Sequence, residues 1–252
     1  MTRTISFLIC LAVITACGDD ELPFGDDNTS IIVDDNNQFA PGIIDPSGDG
    51  FEIADVVVGD STVDVTVRYS GGCEAHIFDF THSIKKVGTQ VLVELNLVHS
   101  GNGDTCEAYP TTTVPLEVGK VAEIKQAMTD GNVIFRVVNA YDMSSWVAVY
   151  GMPAFPESQD CIFEIDAEDV ICGDGLFANT WFKYAEVDGG PVYLQPSYLG
   201  SLSILSSNEL EEGRYKVGVG LSEPFQSDPN IGICQAYPGP SLPVVIYCIE
   251  KI

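Results

Sequence analysis

The stretch Gln90-Val-Leu-Val-Glu-Leu-Asn-Leu-Val98, followed by His99, decides how this chain is read. Val91, Val93, Leu95, Leu97 and His99 recur at every second position, the period at which side chains share one face of a β-strand. Short β-branched runs of the same kind, separated by turn residues, fill the chain from Phe51 onward. In the first half they are Ile53 to Val58, Thr62 to Tyr69, Ala75 to Thr81, Val133 to Asn139 and Trp146 to Tyr150. In the second half they are Phe163 to Ile171, Trp181 to Val187, Leu202 to Leu205, Tyr215 to Leu221 and Val244 to Ile249. Helical spacing occurs once, at Val121, Ile124 and Met128, which predicts a helix over Lys120 to Met128 and a turn at Thr129-Asp130-Gly131-Asn132. The expectation is an all-β protein of two β-sandwich-like domains, residues 49–153 and 157–252, divided near Pro153-Ala-Phe-Pro156, with one short helix in the first.

An internal echo suggests that the halves are a diverged duplication. Phe51-Glu52-Ile53 is answered by Phe163-Glu164-Ile165. Cys106-Glu-Ala-Tyr109-Pro110 with Val114-Pro115 is answered by Cys234-Gln-Ala-Tyr237-Pro238 with Leu242-Pro243, at the same internal spacing and in the same order.

The start of the chain carries Arg3, the apolar run Ile5 to Ile14, and the small residues Thr15 and Ala16 before Cys17. That is the order of a secretory signal, and the run is too short to span a bilayer. Ile14-Thr15-Ala16-Cys17 resembles the lipobox of bacterial lipoproteins, which implies acylation of the Cys17 thiol and cleavage in front of it. Two or three acyl chains anchor durably where one is marginal. Gly18-Asp19-Asp20-Glu21 is similar to the acidic surface-export signal of Bacteroidota lipoproteins, which implies display on the outer membrane. Residues 18–48, rich in Asp, Asn, Gly and Pro and lacking Lys and Arg, read as an acidic tether.

The formal charge of the whole chain is −26. Losing Arg3 with the signal leaves 10 basic residues against 37 acids, a charge of −27. Such a field argues against nucleic acid as a partner and repels an anionic membrane surface, so lipid must hold the protein there. Of the eight cysteines, Cys10 leaves with the signal and Cys17 takes the lipid. The even set Cys73, Cys106, Cys161, Cys172, Cys234 and Cys248 reads as disulfides of an oxidising compartment. The expectation is Cys73 with Cys106, and the other four paired within the C-terminal half.

Two longer stretches, Ser70-Gly71-Gly72-Cys73-Glu74-Ala75-His76-Ile77-Phe78 and Leu97-Val98-His99-Ser100-Gly101-Asn102-Gly103-Asp104-Thr105-Cys106-Glu107-Ala108, resemble small uncharacterised Bacteroidota lipoproteins. The resemblance implies export and a β-sandwich and supplies no activity.

Candidate chemistry centres on few residues. Cys73, His76, His99 and Cys106 are the ligand types of a zinc or copper site. If Cys73 to Phe80 were one regular strand, however, Cys73 and His76 would face opposite ways. Both histidines also finish apolar stripes, which reads better as hydrogen-bonded core residues and a disulfide. Asp45-Pro-Ser47-Gly-Asp49-Gly50 has the opening of a calcium loop, but its twelfth position is Val56, with only Glu52 and Asp55 nearby, so an Asx turn is expected. Asn102-Gly103-Asp104 reads as a tight turn. The chain contains no Gly-x-Ser-x-Gly, His-Glu-x-x-His, phosphate loop or Cys-x-x-Cys. Tyr109, Tyr237, Trp146 and Trp181 are the aromatics that could stack on sugars. The function expected from these readings is a non-enzymatic ligand- or partner-binding module, protein or glycan, at the outer membrane surface. The alternative is a lipoprotein handling Zn, Cu or Ca, and a hydrolase with a hidden carboxylate pair is third.

Overall fold

The computed structural model describes residues 48–252 except 88–89, 132, 172, 188–189, 201–209 and 227–240. The signal, Cys17, the tether up to residue 47, Asp45, Cys172, Leu202 to Leu205, Cys234 and Tyr237 lie outside the described residues. The described chain is all-β with one α-helix.

Eight strands build the first half: β1 (Phe51–Val58), β2 (Val63–Tyr69), β3 (Ile77–Val87), β4 (Gln90–Ser100), β5 (Thr111–Leu116), β6 (Val133–Asn139), β7 (Ser145–Val149) and β8 (Phe155–Glu157). The helix α1 (Ala122–Asp130) follows a single 3-10 turn at Val118–Lys120. It ends two residues beyond the expected Met128, where Gly131 at φ 76° donates its N–H to the Met128 carbonyl, a left-handed stop that suits glycine.

Strands β1-β2-β5 form one sheet and β3-β4-β6-β7-β8 a second. The two face each other across a core that includes Val63, Val65, Val67, Phe80, Val93, Leu95, Leu97, Phe135 and Val137, with Ile124 of α1 plugging one side. Only β4 and β6 run parallel in the larger sheet, and the chain between them contains β5 and the helix. The alternation read from Val91 to His99 is therefore real, but the other face of β4 is not solvent along its whole length. Leu92, together with Ile134 of β6, Val147 of β7 and Phe155 of β8, packs against the second half. A sheet covered on both faces explains why Val133 to Val138 reads as a nearly unbroken apolar run.

The second half consists of β9 (Phe163–Asp169), β10 (Thr180–Val187), β11 (Gly190–Leu199), β12 (Gly213–Leu221) and β13 (Ser241–Lys251). These strands close into a barrel in the order β10-β11-β13-β12-β9. All pairs are antiparallel except β11 with β13, the arrangement of an OB-type Greek-key barrel. The sandwich expected here is replaced by closure, because β9 pairs with both β10 and β12 and leaves no open edge.

The echo falls on unlike places. Phe51 and Phe163 each open the first strand of their half, but Val114-Pro115 lies in β5, at the edge of a three-stranded sheet, whereas Leu242-Pro243 lies in β13, between two partners. The expected divide at Pro153–Pro156 runs directly into β8, whose Phe155 is 1% exposed among barrel residues. Ser158 N–H donates to the Val219 carbonyl, Tyr184 O–H to the Ala154 carbonyl, and Leu221 N–H to Glu157 Oε1, tying the halves across that point.

Candidate functional site

The residues singled out in the first half meet at one end of the sandwich. Gly71 and Gly72, at φ 129° and 111°, turn the chain out of β2 in conformations that L side chains rarely adopt. Residues 72–76 are consequently not strand, and β3 begins only at Ile77, so the strand geometry that would have separated Cys73 from His76 does not apply. A Cβ on Gly71 would stand 2.5 Å from the His76 ring. The turn after β4 brings Asp104 underneath this loop, and Cys73 and Cys106 are joined there as a disulfide.

Asp104, expected only as part of the Asn102-Gly103-Asp104 turn, is the hub. One oxygen, Oδ2, accepts the successive backbone N–H groups of Gly72, Cys73 and Glu74 at 2.7, 2.7 and 3.0 Å, and Oδ1 accepts Cys106 N–H at 2.9 Å. Three consecutive N–H groups on one oxygen form an anion nest, here filled by the chain's own carboxylate. The N–H groups of Cys106 and Glu74 hold its carboxyl well below the usual carboxylate range.

From Asp104 a line of hydrogen bonds runs inward. His76 Nε2 is 3.1 Å from Asp104 Oδ2, His76 Nδ1 is 2.8 Å from His99 Nε2, and His99 Nδ1 is 3.3 Å from the Asp49 carbonyl. The carboxylate and the carbonyl only accept, so His76 Nε2 and His99 Nδ1 must both carry hydrogen. The contact between the rings needs a third. Three hydrogens on two imidazoles amount to one net positive charge on the pair. Burial lowers the affinity of His99 for a proton. The rings are packed by Tyr69 at 4.4 Å from His76 and Phe78 at 4.4 Å from His99, and His99 is 1% exposed.

The remaining candidates serve the same closure. Asp49 Oδ2 accepts Gly101 N–H at 2.6 Å and Asp49 N–H donates to the His99 carbonyl, pinning the entry to β1 against the end of β4. These bonds link positions about 50 residues apart, so they are not the Asx turn expected for this segment. For zinc or copper the two histidines are badly disposed: their facing nitrogens stand at hydrogen-bond distance, with ring planes 11° apart. The disulfide Cys161–Cys248 joins the approach to β9 with β13, inside the C-terminal half. Trp181 is buried and donates Nε1–H to the Asp174 carbonyl, and Trp146 packs on the sandwich core. Tyr109 is exposed. Trp181 of β10 and Tyr193 of β11 pack together with Val170, and Gln195 also bonds Asp174.

An open cleft of about 370 Å³ lies between the last turn of α1, the ends of β6 and β7 and the β1–β2 turn. Met128, Val133 and Val149 line it with Lys125, Asp60 and Tyr150, and Tyr150 O–H donates to Asp60 at 2.8 Å. No helix among the described residues is long and apolar enough to cross a membrane. Set against protein-family models, curated proteins and solved structures, the chain matches none of them.

Proposed function

We propose that this chain is a lipid-anchored cell-envelope protein, held to the outer membrane through Cys17, whose sandwich and barrel serve as a non-enzymatic module for binding a small ligand or a partner. The observation that carries the reading is the state of the cysteines. Both described pairs, Cys73–Cys106 and Cys161–Cys248, are disulfides, which suits an oxidising compartment. The signal that precedes Cys17 supplies the route there. Further support comes from how the candidate polar groups are spent: Asp104, His76, His99 and Asp49 bond one another and the backbone, as in a structural lock. The cleft beside α1 has the size and the mixed apolar and polar lining of a small-ligand site.

Metabolic labelling with a palmitate analogue tests the anchor: wild type takes the label and Cys17→Ser does not. Equal labelling of the two proteins overturns it. Protease shaving of intact cells tests display, and full protection of the folded part would place it on the periplasmic side. For binding, a glycan and metabolite array is screened with wild type and with Val149→Trp, which fills the cleft. Loss of the captured ligand in the variant supports the cleft, and undiminished capture removes it as the site.

A further inference from the structure

We infer that reduction of the Cys73–Cys106 disulfide uncovers a binding site for one thiophilic divalent cation, Zn²⁺ or Cd²⁺, formed by Cys73, Cys106 and Asp104. The two sulfurs and an Asp104 carboxylate oxygen all lie within 4.8 Å of one another. In a tetrahedral zinc site with bonds of about 2.3 Å the sulfurs stand about 3.8 Å apart, so the pair has only to relax from its covalent bond. This donor set differs from the His76 and His99 pair, whose nitrogens are turned toward each other.

What makes the site more than a reduced disulfide is that its walls do not depend on the S–S bond. Gly71 N–H donates to the Ala108 carbonyl at 3.0 Å and Tyr69 N–H to the Pro110 carbonyl at 3.3 Å, so the two cysteine-bearing segments are tied on the strand side. Asp104 Oδ2 holds the N–H groups of Gly72, Cys73 and Glu74, and Oδ1 holds that of Cys106. With the bond cut, both thiols remain over the same carboxylate. His76 Nε2 fixes the orientation of that carboxylate at 3.1 Å through Oδ2, which leaves the less burdened Oδ1 to face the ion. Hydrogen-bonded partners of this kind raise metal affinity by orienting the ligand beforehand. Cys73 is exposed, so a reductant can reach the bond. The comparable group at Cys161, Cys248 and Glu250 lacks these supports, since Glu250 is exposed near the end of the last strand.

The chemistry balances with a reductant of the dithiol or phosphine class. A dithiol gives up two electrons and its two thiol protons and becomes a disulfide; a phosphine gives up two electrons and takes the oxygen of one water to become a phosphine oxide, and that water's two protons go to the sulfurs, which end as two thiols. Binding of M²⁺ then expels both protons and leaves two metal–thiolate bonds. The metal and the disulfide exclude each other, so the site reports the redox state of its surroundings.

The test titrates Cd²⁺ into the full chain, oxidised or reduced with a phosphine, and follows the thiolate-to-cadmium absorption in the near ultraviolet. The expected result is no band in oxidised protein and a band in reduced protein that survives in Cys161→Ser and vanishes in Cys73→Ser. Asp104→Asn weakens binding about tenfold or more. A second measurement covers a variant that fails to fold: alkylation of reduced wild type, read by peptide mass, finds Cys73 and Cys106 protected by Cd²⁺. Absence of the band in reduced wild type, a band of equal size in folded Cys73→Ser, or alkylation of Cys73 and Cys106 unaffected by Cd²⁺ overturns the inference. None of these outcomes depends on acylation of Cys17 or on the cleft beside α1.

Discussion

Replacing His99 with Phe removes the middle of the buried relay while keeping its shape. The ring contacts to Phe78 at 4.4 Å, Tyr69 at 5.1 Å and Phe51 at 5.8 Å can all be made by a phenyl ring. Two polar groups lose their partner: His76 Nδ1, bonded at 2.8 Å, and the Asp49 carbonyl, bonded more loosely at 3.3 Å. A buried donor or acceptor left unpaired costs about 1–3 kcal/mol, whereas the carbonyl of the exposed Asp49 can turn to water, so the cost expected for His99→Phe is about 1–3 kcal/mol at neutral pH, set by the His76 end. The loss also carries a pH signature. His99 binds its proton less readily in the folded chain than the ordinary value of 6.5. As pH falls below that value the unfolded state takes up more protons than the folded one, and wild-type stability declines. Phe has no such proton to bind, so the gap between the two proteins narrows on acidification. Urea unfolding followed by circular dichroism between about pH 8 and pH 5 measures both quantities. A variant as stable as wild type near pH 8, or a gap that widens toward pH 5, would refute the assignment of His99 as the buried, doubly bonded member of the pair.

Other consequences of the structure are open to direct measurement. Cys161→Ser, which opens a loop spanning 87 residues, is expected to cost about 2–5 kcal/mol in thermal or urea unfolding; an unchanged melting point would show that the bond constrains nothing. Tyr184 and Tyr193, held up to about 12 by burial, with Asp55 and Glu168 respectively adding to it, remain protonated when ordinary tyrosines ionise near 10. A spectrophotometric titration of Tyr193→Phe should therefore lose only the last-ionising part of the curve. Arg136 bonds Glu157 at 2.7 Å and Glu94 at 3.2 Å on the face of the sandwich next to the barrel. Arg136→Ala should cost more than Arg136→Met combined with Glu157→Gln, because the single change leaves the largely buried Glu157 carboxylate uncompensated, and additive effects in a double-mutant cycle would contradict this.

The all-β class and the helix were legible because each rests on local pattern, alternation in β4 and the spacing of Val121, Ile124 and Met128; the even cysteine set pointed to disulfides and Cys73–Cys106 was the expected pair, whereas Cys161–Cys248 was open among the last four cysteines. Strands β5, β8 and β11 were not read as strands. Each contains proline, at Pro115, Pro156, and Pro191 with Pro196, and proline counts against a strand until its pairing partner is known. In β11 the register against β13 slips just after Pro196, which shows how the sheet absorbs it. Barrel closure was illegible for another reason, since it depends on β11 meeting β13 in parallel across residues 200–240. At the site, His76 and His99 were picked out by residue type, but their partner Asp104 was hidden inside an ordinary turn sequence. The available clue was Gly71-Gly72, a pair whose backbone can aim several N–H groups at one anion.

The apolar cluster shared by the two halves bears on the independence of the two expected domains. Two domains joined at Pro153–Pro156 would each bury their own core, yet Leu92, Ile134, Val147 and Phe155 of the sandwich belong to one apolar cluster with Phe182, Val219 and Val244 of the barrel. Exposing four such side chains costs about 1.5–3 kcal/mol each, or about 6–12 kcal/mol as an upper bound. That is comparable with the entire stability of a typical domain, about 5–15 kcal/mol. Residues 49–153 expressed alone also lack β8, so they present an apolar patch and the unpaired edge of β7, both of which favour association. The expected outcome is that neither half is a stable monomer by itself, and that the two recover native-like unfolding when co-expressed. Analytical ultracentrifugation and urea unfolding of each half decide the matter. A monomeric 49–153 fragment with cooperative unfolding near the full-length midpoint would mean that the shared cluster contributes little and that the halves are separate domains after all.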